Sequence, residues 1–381
     1  MMQPVTGPPR DDLSVDQVTA LIRDEPAVHS TYGCELIDMN LDVIEDISDD
    51  LVGGSVKRQS YDRLHGEAEL VLHRELDWGT AILRPYVVVS ASGVSARFNL
   101  GAYFTSTDKV DYGTDPVEYK VKALDILDRL DDPVGESYAV ASGAVYLSTV
   151  EEIFTNLGYT QHVIDKLYSI SGAEKKLPLS RTWMLGEGAT WLTVVNEMLG
   201  SIAYQGVWSD WDGRLRVHPY RSPSSQPSEW AYDVENLTSM LGAVRTKESD
   251  RYRAPNRWVF YRSNTTDEDD PPTEGNGKYT VENQSDGPTS IDARGGRVIT
   301  REVGLDVADH ASLVEAAQIT VDADKRLKTT ISVPVWPNPL HWHFDRVSAV
   351  DPAVGLSGEV LVTSWAMPLD GGMMTQEWTV L

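Results

Sequence analysis

His341, Trp342, His343, Phe344 and Asp345 come nearest to a chemical motif in this chain. In an extended segment successive side chains alternate between faces, so His341, His343 and Asp345 would share one face. Two imidazoles and a carboxylate on one face is a metal-ligating pattern. The chain has eight histidines, and none follows His343. A metal centre begun here would still need further ligands from elsewhere in the chain. A polar strand start in a tryptophan-rich region is the simpler reading.

The His-x-His-x-Asp spacing is similar to the first metal motif of metallo-β-lactamase-type hydrolases, but Arg346 stands where that family places another ligand. Asp267, Glu268, Asp269 and Asp270 could attract Ca2+, yet the run lacks the glycine and the distal glutamate of a loop site. A solvated acidic loop accounts for it. Neither a phosphate-binding P-loop nor a dinucleotide-binding glycine motif occurs, and neither G-x-S-x-G nor H-E-x-x-H is present. With 58 acidic residues, paired carboxylates arise by chance. Glu151 and Glu152 sit at a helix start, where they favour the macrodipole. The sequence thus assigns no catalytic, cofactor-binding or metal-ligating residue and calls for no cofactor. The expectation is a protein that is not an enzyme.

All tryptophans except Trp78 fall after residue 180. Exposed aromatics make stacking faces for sugars. Trp191, however, lies on an apolar helical stripe, and Trp258 and Trp365 lie within strands, which points to core or subunit contacts.

The formal net charge is −25. Such a surface repels phosphates, so specific nucleic-acid binding and docking on an anionic membrane are not expected. A passage that DNA slides through without sticking remains compatible. Cys34 is the single cysteine, which excludes an intrachain disulfide and a cysteine metal cluster. The start of the chain has no signal-peptide pattern, and no stretch is long and apolar enough for a transmembrane helix. Synthesis and folding in the cytoplasm are expected.

The elements follow from periodicity. Residues 1–32 read as an N-terminal arm, with Pro4, Pro8 and Pro9 followed by a short helix near 14–24 that Ser14 and Gln17 cap reciprocally. Residues 33–123 alternate with period two, as in Ala68, Leu70 and Leu72, in Phe98, Leu100, Ala102 and Phe104, and in Val117, Tyr119, Val121 and Ala123. They predict a first antiparallel, barrel-like domain.

Residues 124–228 predict a mixed α/β insert and linker. Leu124, Leu127 and Leu130 suggest a short helix. Ser148 and Glu151 suggest a capped helix that ends at Gly158. Trp191, Val194, Val195, Met198 and Ile202 form one stripe, and Asp212-Gly213 turns a hairpin. The linker is 223–228. Residues 229–381 predict a second barrel-like domain, with strands at Arg257–Arg262, Arg297–Val303, Lys328–Val335 and Glu359–Trp365. A helix near 309–325 starts at Asp309, and a long acidic loop spans 263–296. The fold class is α+β, mainly β: two antiparallel barrel-like domains flanking a mixed helical insert.

Three segments carry a family resemblance. Thr190–Leu199 running to Ala203-Tyr204, and the hairpin Asp210–Tyr220, resemble the inserted domain of the tail hub, or baseplate hub, proteins of long-tailed bacteriophages. Val360–Leu369 with Gly371–Met374 is similar to the closing strands of minor tail proteins of phages infecting actinobacteria. The resemblance covers roughly 33–381 in architecture.

It implies a virion structural protein: a homotrimeric hub at the tail tip that matches a six-fold tube to a three-fold tip and leaves a channel for DNA. The implied partners are copies of itself, the tail tube or distal tail ring, a tip fibre or spike, and the tape measure. Assembly would occur in the host cytoplasm and final residence would be the virion. Two other classes stay open: a receptor- or glycan-binding tail module using the tryptophans, and a tail-associated cell-wall hydrolase. Against the last, the chain ends at Leu381 just after a strand, with no lytic extension expected.

Overall fold

The computed structural model describes residues 1–5, 13–23, 29–76, 82–111, 113, 116–166, 174–233, 244–249, 254–263, 273–307, 309–326 and 329–381. The prolines at 8 and 9, Trp78 and the acidic run 267–270 lie outside the described residues.

The first half begins with helix α1 (Val15–Arg23) and continues through β1 (His29–Ile37), β2 (Val43–Asp46), β3 (Leu51–Gln59), β4 (Gly66–Leu72), β5 (Ile82–Ala91), β6 (Val94–Asn99), β7 (Tyr103–Asp111) and β8 (Glu118–Asp125). Between the halves lie β9 (Ser137–Val140), α2 (Tyr146–Asn156), β10 (His162–Ile164), β11 (Arg181–Met184), α3 (Trp191–Gly200), β12 (Trp208–Ser209) and β13 (Leu215–Val217). The second half holds β14 (Trp230–Asp233), β15 (Thr246–Ser249), β16 (Arg257–Arg262), β17 (Thr273–Glu274), β18 (Gly277–Glu282) and β19 (Thr300–Leu305). It closes with α4 (His310–Arg326), β20 (Thr329–Val335), β21 (Asp345–Asp351), β22 (Leu356–Pro368) and β23 (Met374–Val380).

A single large sheet joins the halves. Its path runs β15-β20-β23-β22-β3-β4-β8-β7-β5-β1-β2, with β21 beside β22, β14 beside β21 and β6 beside β5. The 13-residue β22 makes the junction. On one side it pairs with β21 up to Val362 and then with β3 from Ser364 to Pro368, and on the other it pairs with β23.

The same order occurs twice. In the first half β3, β4, β8, β7 and β5 are neighbours in that order, all antiparallel. In the second half β15, β20, β23, β22 and β21 repeat it, again all antiparallel. Numbered within each half, both read first, second, fifth, fourth, third. Helix α4 and the four-stranded sheet β17-β18-β16-β19 lie between the first and second strands of the second repeat. The first repeat has only the turn 60–65 there, so α4 has no counterpart. The segment 126–131 comes after the fifth strand and is a 3-10 helix.

Several local expectations hold. Ser14 and Gln17 cap α1 reciprocally: the Ser14 N–H donates to Gln17 Oε1 at 2.8 Å and the Gln17 N–H to Ser14 Oγ at 3.3 Å. Gly158, at φ +86°, lets the Tyr159 N–H return to the Phe154 carbonyl and close α2. Asp309 Oδ1 accepts from the Ser312 N–H at 2.7 Å and caps α4.

Other expectations need correction. No sheet closes into a barrel among the described residues. The first strand begins at His29, inside the stretch read as an arm, and the repeat's last strand ends at Asp125. Helix α2 starts at Tyr146 after Val145, which makes no side-chain cap, so Ser148 lies inside the first turn. The continuous strand through Phe98 and Phe104 is two strands, because 100–102 turns beneath the insert: the Gly101 N–H donates to the Trp211 carbonyl at 3.0 Å. The polar stretch 263–296 contains β18, whose register pairs Trp258 with Val281 and Phe260 with Tyr279.

Three apolar clusters result. The largest combines both halves and α1, with Leu70, Phe98 and Val121 in the same cluster as Val333, Val360 and Trp378. The second lies in the insert around Phe154, Val194 and Met198 and reaches Ile37 and Ala102. The third packs α4 on its small sheet through Trp258, Phe260, Leu313 and Ala317.

Candidate functional site

The polar groups of the chain converge where β3, β8, the insert hairpin and the segment 338–345 meet. Arg58 on β3 and Asp125 at the end of β8 are each about 1% exposed. Arg58 Nη1 lies 3.4 Å from Asp125 Oδ2, and Nη2 donates to the Ser209 carbonyl at 2.9 Å. The guanidinium sits over the Trp342 ring, 4.3 Å from its centroid. Trp342 Nε1 donates to the same Ser209 carbonyl at 2.7 Å, while Ser209 Oγ donates to Asp125 at 2.9 Å. Burial pushes the Asp125 carboxyl up and Arg58 opposes that shift. One ion pair thus ties the first repeat, the insert and the second repeat together.

Asp210, the residue after Ser209, is fully buried and organises the hairpin turn. Its Oδ1 accepts from the N–H groups of Asp212 and Arg214, and its Oδ2 from Arg216 Nε at 2.7 Å. Gly213 turns at φ +97°, and a Cβ there would come within 2.5 Å of the Ala102 side chain. Only glycine lets the hairpin approach this closely.

The His341–Asp345 segment is not a strand until its last residue. Tyr232 Oη lies 2.6 Å from His341 Nε2, and His341 Nδ1 lies 3.0 Å from Asp345 Oδ2. Tyr232 Oη also accepts from Gln376 Nε2 at 3.1 Å. It therefore donates to His341, whose Nδ1–H donates to Asp345. The Met1 ammonium lies 2.7 Å from Asp345 Oδ1. Burial opposes the charge on Asp345, but that ammonium and His341 overcome it and hold the carboxyl below its usual range.

The relay has an acid–base form, but Tyr232, His341 and Asp345 are all buried and are held by one another, by Gln376 and by the Met1 ammonium. Its geometry fixes the loop. His343 does not join it; its ring stacks on Trp208 at 5.0 Å and lies 4.8 Å from His65. Among the described residues no three His, Cys, Asp or Glu side chains group closely enough to hold a metal ion.

Most tryptophans among the described residues are core. Trp208, Trp258, Trp342 and Trp378 are fully buried, and Trp365 nearly so. Trp191 is half-buried against Tyr138, and Trp336, at 38%, is the exposed one among the described residues. No helix is long and apolar enough to cross a membrane among the described residues.

No family model matches the chain, and no curated protein does. Solved structures do. The fold is shared with phage tail proteins. A tail protein from Neisseria meningitidis MC58 aligns with a TM-score of 0.64 at 13% identity, over 92% of this chain and 96% of that one. The 43 kDa tail protein of prophage MuSo2 from Shewanella oneidensis aligns at 0.60 and 12%, over 92% and 98%. Prophage tail protein gp18 from Listeria monocytogenes EGD-e aligns at 0.52 and 10%, over 92% and 94%. None of these three comes from a phage of actinobacteria, so the narrower likeness at 360–374 rests on those residues alone.

The Arg58 network is the feature that sequence reading missed. Its members are spread from residue 58 to 342, and no local spacing marks them. The only available signal was an arginine at an otherwise inward position of β3, two residues after buried Val56.

Proposed function

We propose that this chain is a structural component of a phage tail tip, a hub of three copies, and not an enzyme. The observation that carries the reading is the repeated strand order within one chain. Two similar units per chain give six in a trimer, which would let one face match a six-fold tube and the other a three-fold tip. The fold, shared end to end with proteins described as tail proteins, supports the same reading.

The barrel-like domains of the hub would be completed in the ring, since each repeat alone is an open sheet. A charge of −25 per chain fits a channel wall that does not retain DNA. Partners are copies of the chain, a tube or distal ring protein, a fibre or spike, and the tape measure, all in the virion after assembly in the host cytoplasm. The domain limits that fit are an arm before His29, a first unit to Asp125, the insert with its linker to 228, and a second unit to 381. A phage of actinobacteria as the source is the narrowest part of the reading.

Light scattering on the purified chain, followed by cryo-electron microscopy of intact tails, tests it. A mass of three chains and density for a ring at the tip are expected. A chain that stays monomeric at every concentration and lies outside the tail tip would sink the reading.

A further inference from the structure

We propose that the cavity bordered by His65, His218 and His343 binds a single oxyanion group, a carboxylate or a phosphate. The cavity has a volume of about 300 Å3 and lies between the turn 60–65, the chain after β13, α4 and the loop at 343–344. It borders the relay built on His341 through Met1, whose ammonium holds Asp345, and the proposal does not depend on how the chain assembles.

His343 carries the argument. It is 3% exposed, and neither ring nitrogen has a hydrogen-bond partner. A neutral imidazole always presents one N–H and one lone pair. Leaving both buried and unmet is costly, and native structures rarely tolerate it without a bound group or ion. His65 adds a third unmet nitrogen, Nδ1, on the same cavity wall. His218 uses Nδ1–H to donate to the Pro219 carbonyl at 2.9 Å, which leaves its Nε2 as a lone pair. Phe344, next to His343, holds φ at +52°, a conformation that phenylalanine seldom adopts. Such strain gathers at ligand sites.

The sign of the ligand follows from the surrounding charge. Arg58 acts on His65 and His343 through its charge from β3, although it is paired with Asp125 and does not line the cavity. The Met1 ammonium reaches them from the start of the chain, held by Asp345 and Glu229. Arg221 lies on the wall, and Asp62 is the acid among the lining residues. Burial first, then His65, Arg58 and the ammonium, keep His343 neutral. The lining itself carries two cationic groups, the Met1 ammonium and Arg221, against one acid, Asp62, a balance that favours an anion. An oxyanion would accept from the N–H groups of His343 and His65, and its charge would draw protons onto the imidazoles. Binding should therefore tighten as pH falls below the ordinary histidine value.

Histidine-labelled full-length protein titrated with inorganic phosphate, and separately with acetate, tests the proposal by nuclear magnetic resonance of the imidazoles. The expected result is a saturable shift of the His343 and His65 signals that is several-fold tighter at mildly acidic than at mildly alkaline pH. His343→Gln should abolish the saturable response, and Arg221→Gln at the wall should weaken it in a chain whose melting is unchanged. A response to only one of the two anions would name the source of the oxyanion. Signals that ignore both anions overturn the proposal, and so do signals that move with zinc alone.

Discussion

Arg58 and Asp125 face each other from either side of β4, 3.4 Å apart and sealed from solvent. Removing one member leaves the other charged and unmatched in the core. Arg58→Met should therefore destabilise the chain by about 3–5 kcal/mol. Asp125 also accepts from the Leu127 N–H at 3.0 Å, so an amide that keeps an acceptor is its mildest replacement. The double variant Arg58→Met/Asp125→Asn should recover most of the loss. Urea melts of the two single variants and the double one decide this; additive losses would show that the pair is not coupled.

The buried histidines predict acid sensitivity. The cage of apolar and cationic groups lowers His65 from its ordinary 6.5 to about 3, mainly by burial and then by Arg58. Burial also lowers His343 and His218. Between the folded and unfolded values the unfolded chain binds more protons. Stability from these groups is thus complete above about pH 6.5 and is lost as pH falls below it, at about 1.4 kcal/mol per pH unit for each group fully out of step. His65→Asn should flatten the fall between about pH 6 and pH 4. Melting temperatures across that range check it; a slope unchanged in the variant would assign the loss to carboxylates instead.

The α3 stripe yields a contrast between two positions. Met198 is buried in the insert core, so Met198→Ala should cost about 2–5 kcal/mol. Trp191 is only half-buried, with an edge-on contact to Tyr138 at 5.0 Å. Trp191→Ala should cost roughly half as much, about 1–2 kcal/mol. Denaturant midpoints rank the two, and a Trp191 loss equal to that of Met198 would mean that the exposed face is covered in solution.

Local signals were legible in the sequence because they act within one turn. The Ser14/Gln17 box, Gly158, the Asp212-Gly213 turn, Asp309 and the bounds of β16 all depend on neighbours a few residues away. Strand β18 was hidden because Gly277–Glu282 is half-exposed at best along most of its length and gains its apolar partners only from β16. The pairing of β22 with β3 joins Ser364 to Gln59, a contact that no periodicity encodes. The same distance in sequence hid the proximity of His65 and His343. Their types were visible, but the fold supplies their meeting.

Among the described residues the sheet path ends on β2 at one side and on β15 at the other, and both strands are exposed throughout. An open edge offers unmatched N–H and C=O groups to another chain. Strand β2 also exposes Val43 at 52% and Ile44 at 59%, apolar side chains with no role in the core of a single copy. A ring of copies joined head to tail would meet edge to edge here, β2 of one against β15 of the next. Ile44→Lys places a charge on that edge without disturbing the core. It should leave the melting of the isolated chain within about 0.5 kcal/mol of wild type, as substitutions at exposed positions do. It should also shift the assembly toward single chains when mass is measured against concentration. An unchanged assembly would move the contact away from β2 and leave the repeated strand order as the remaining support for a ring.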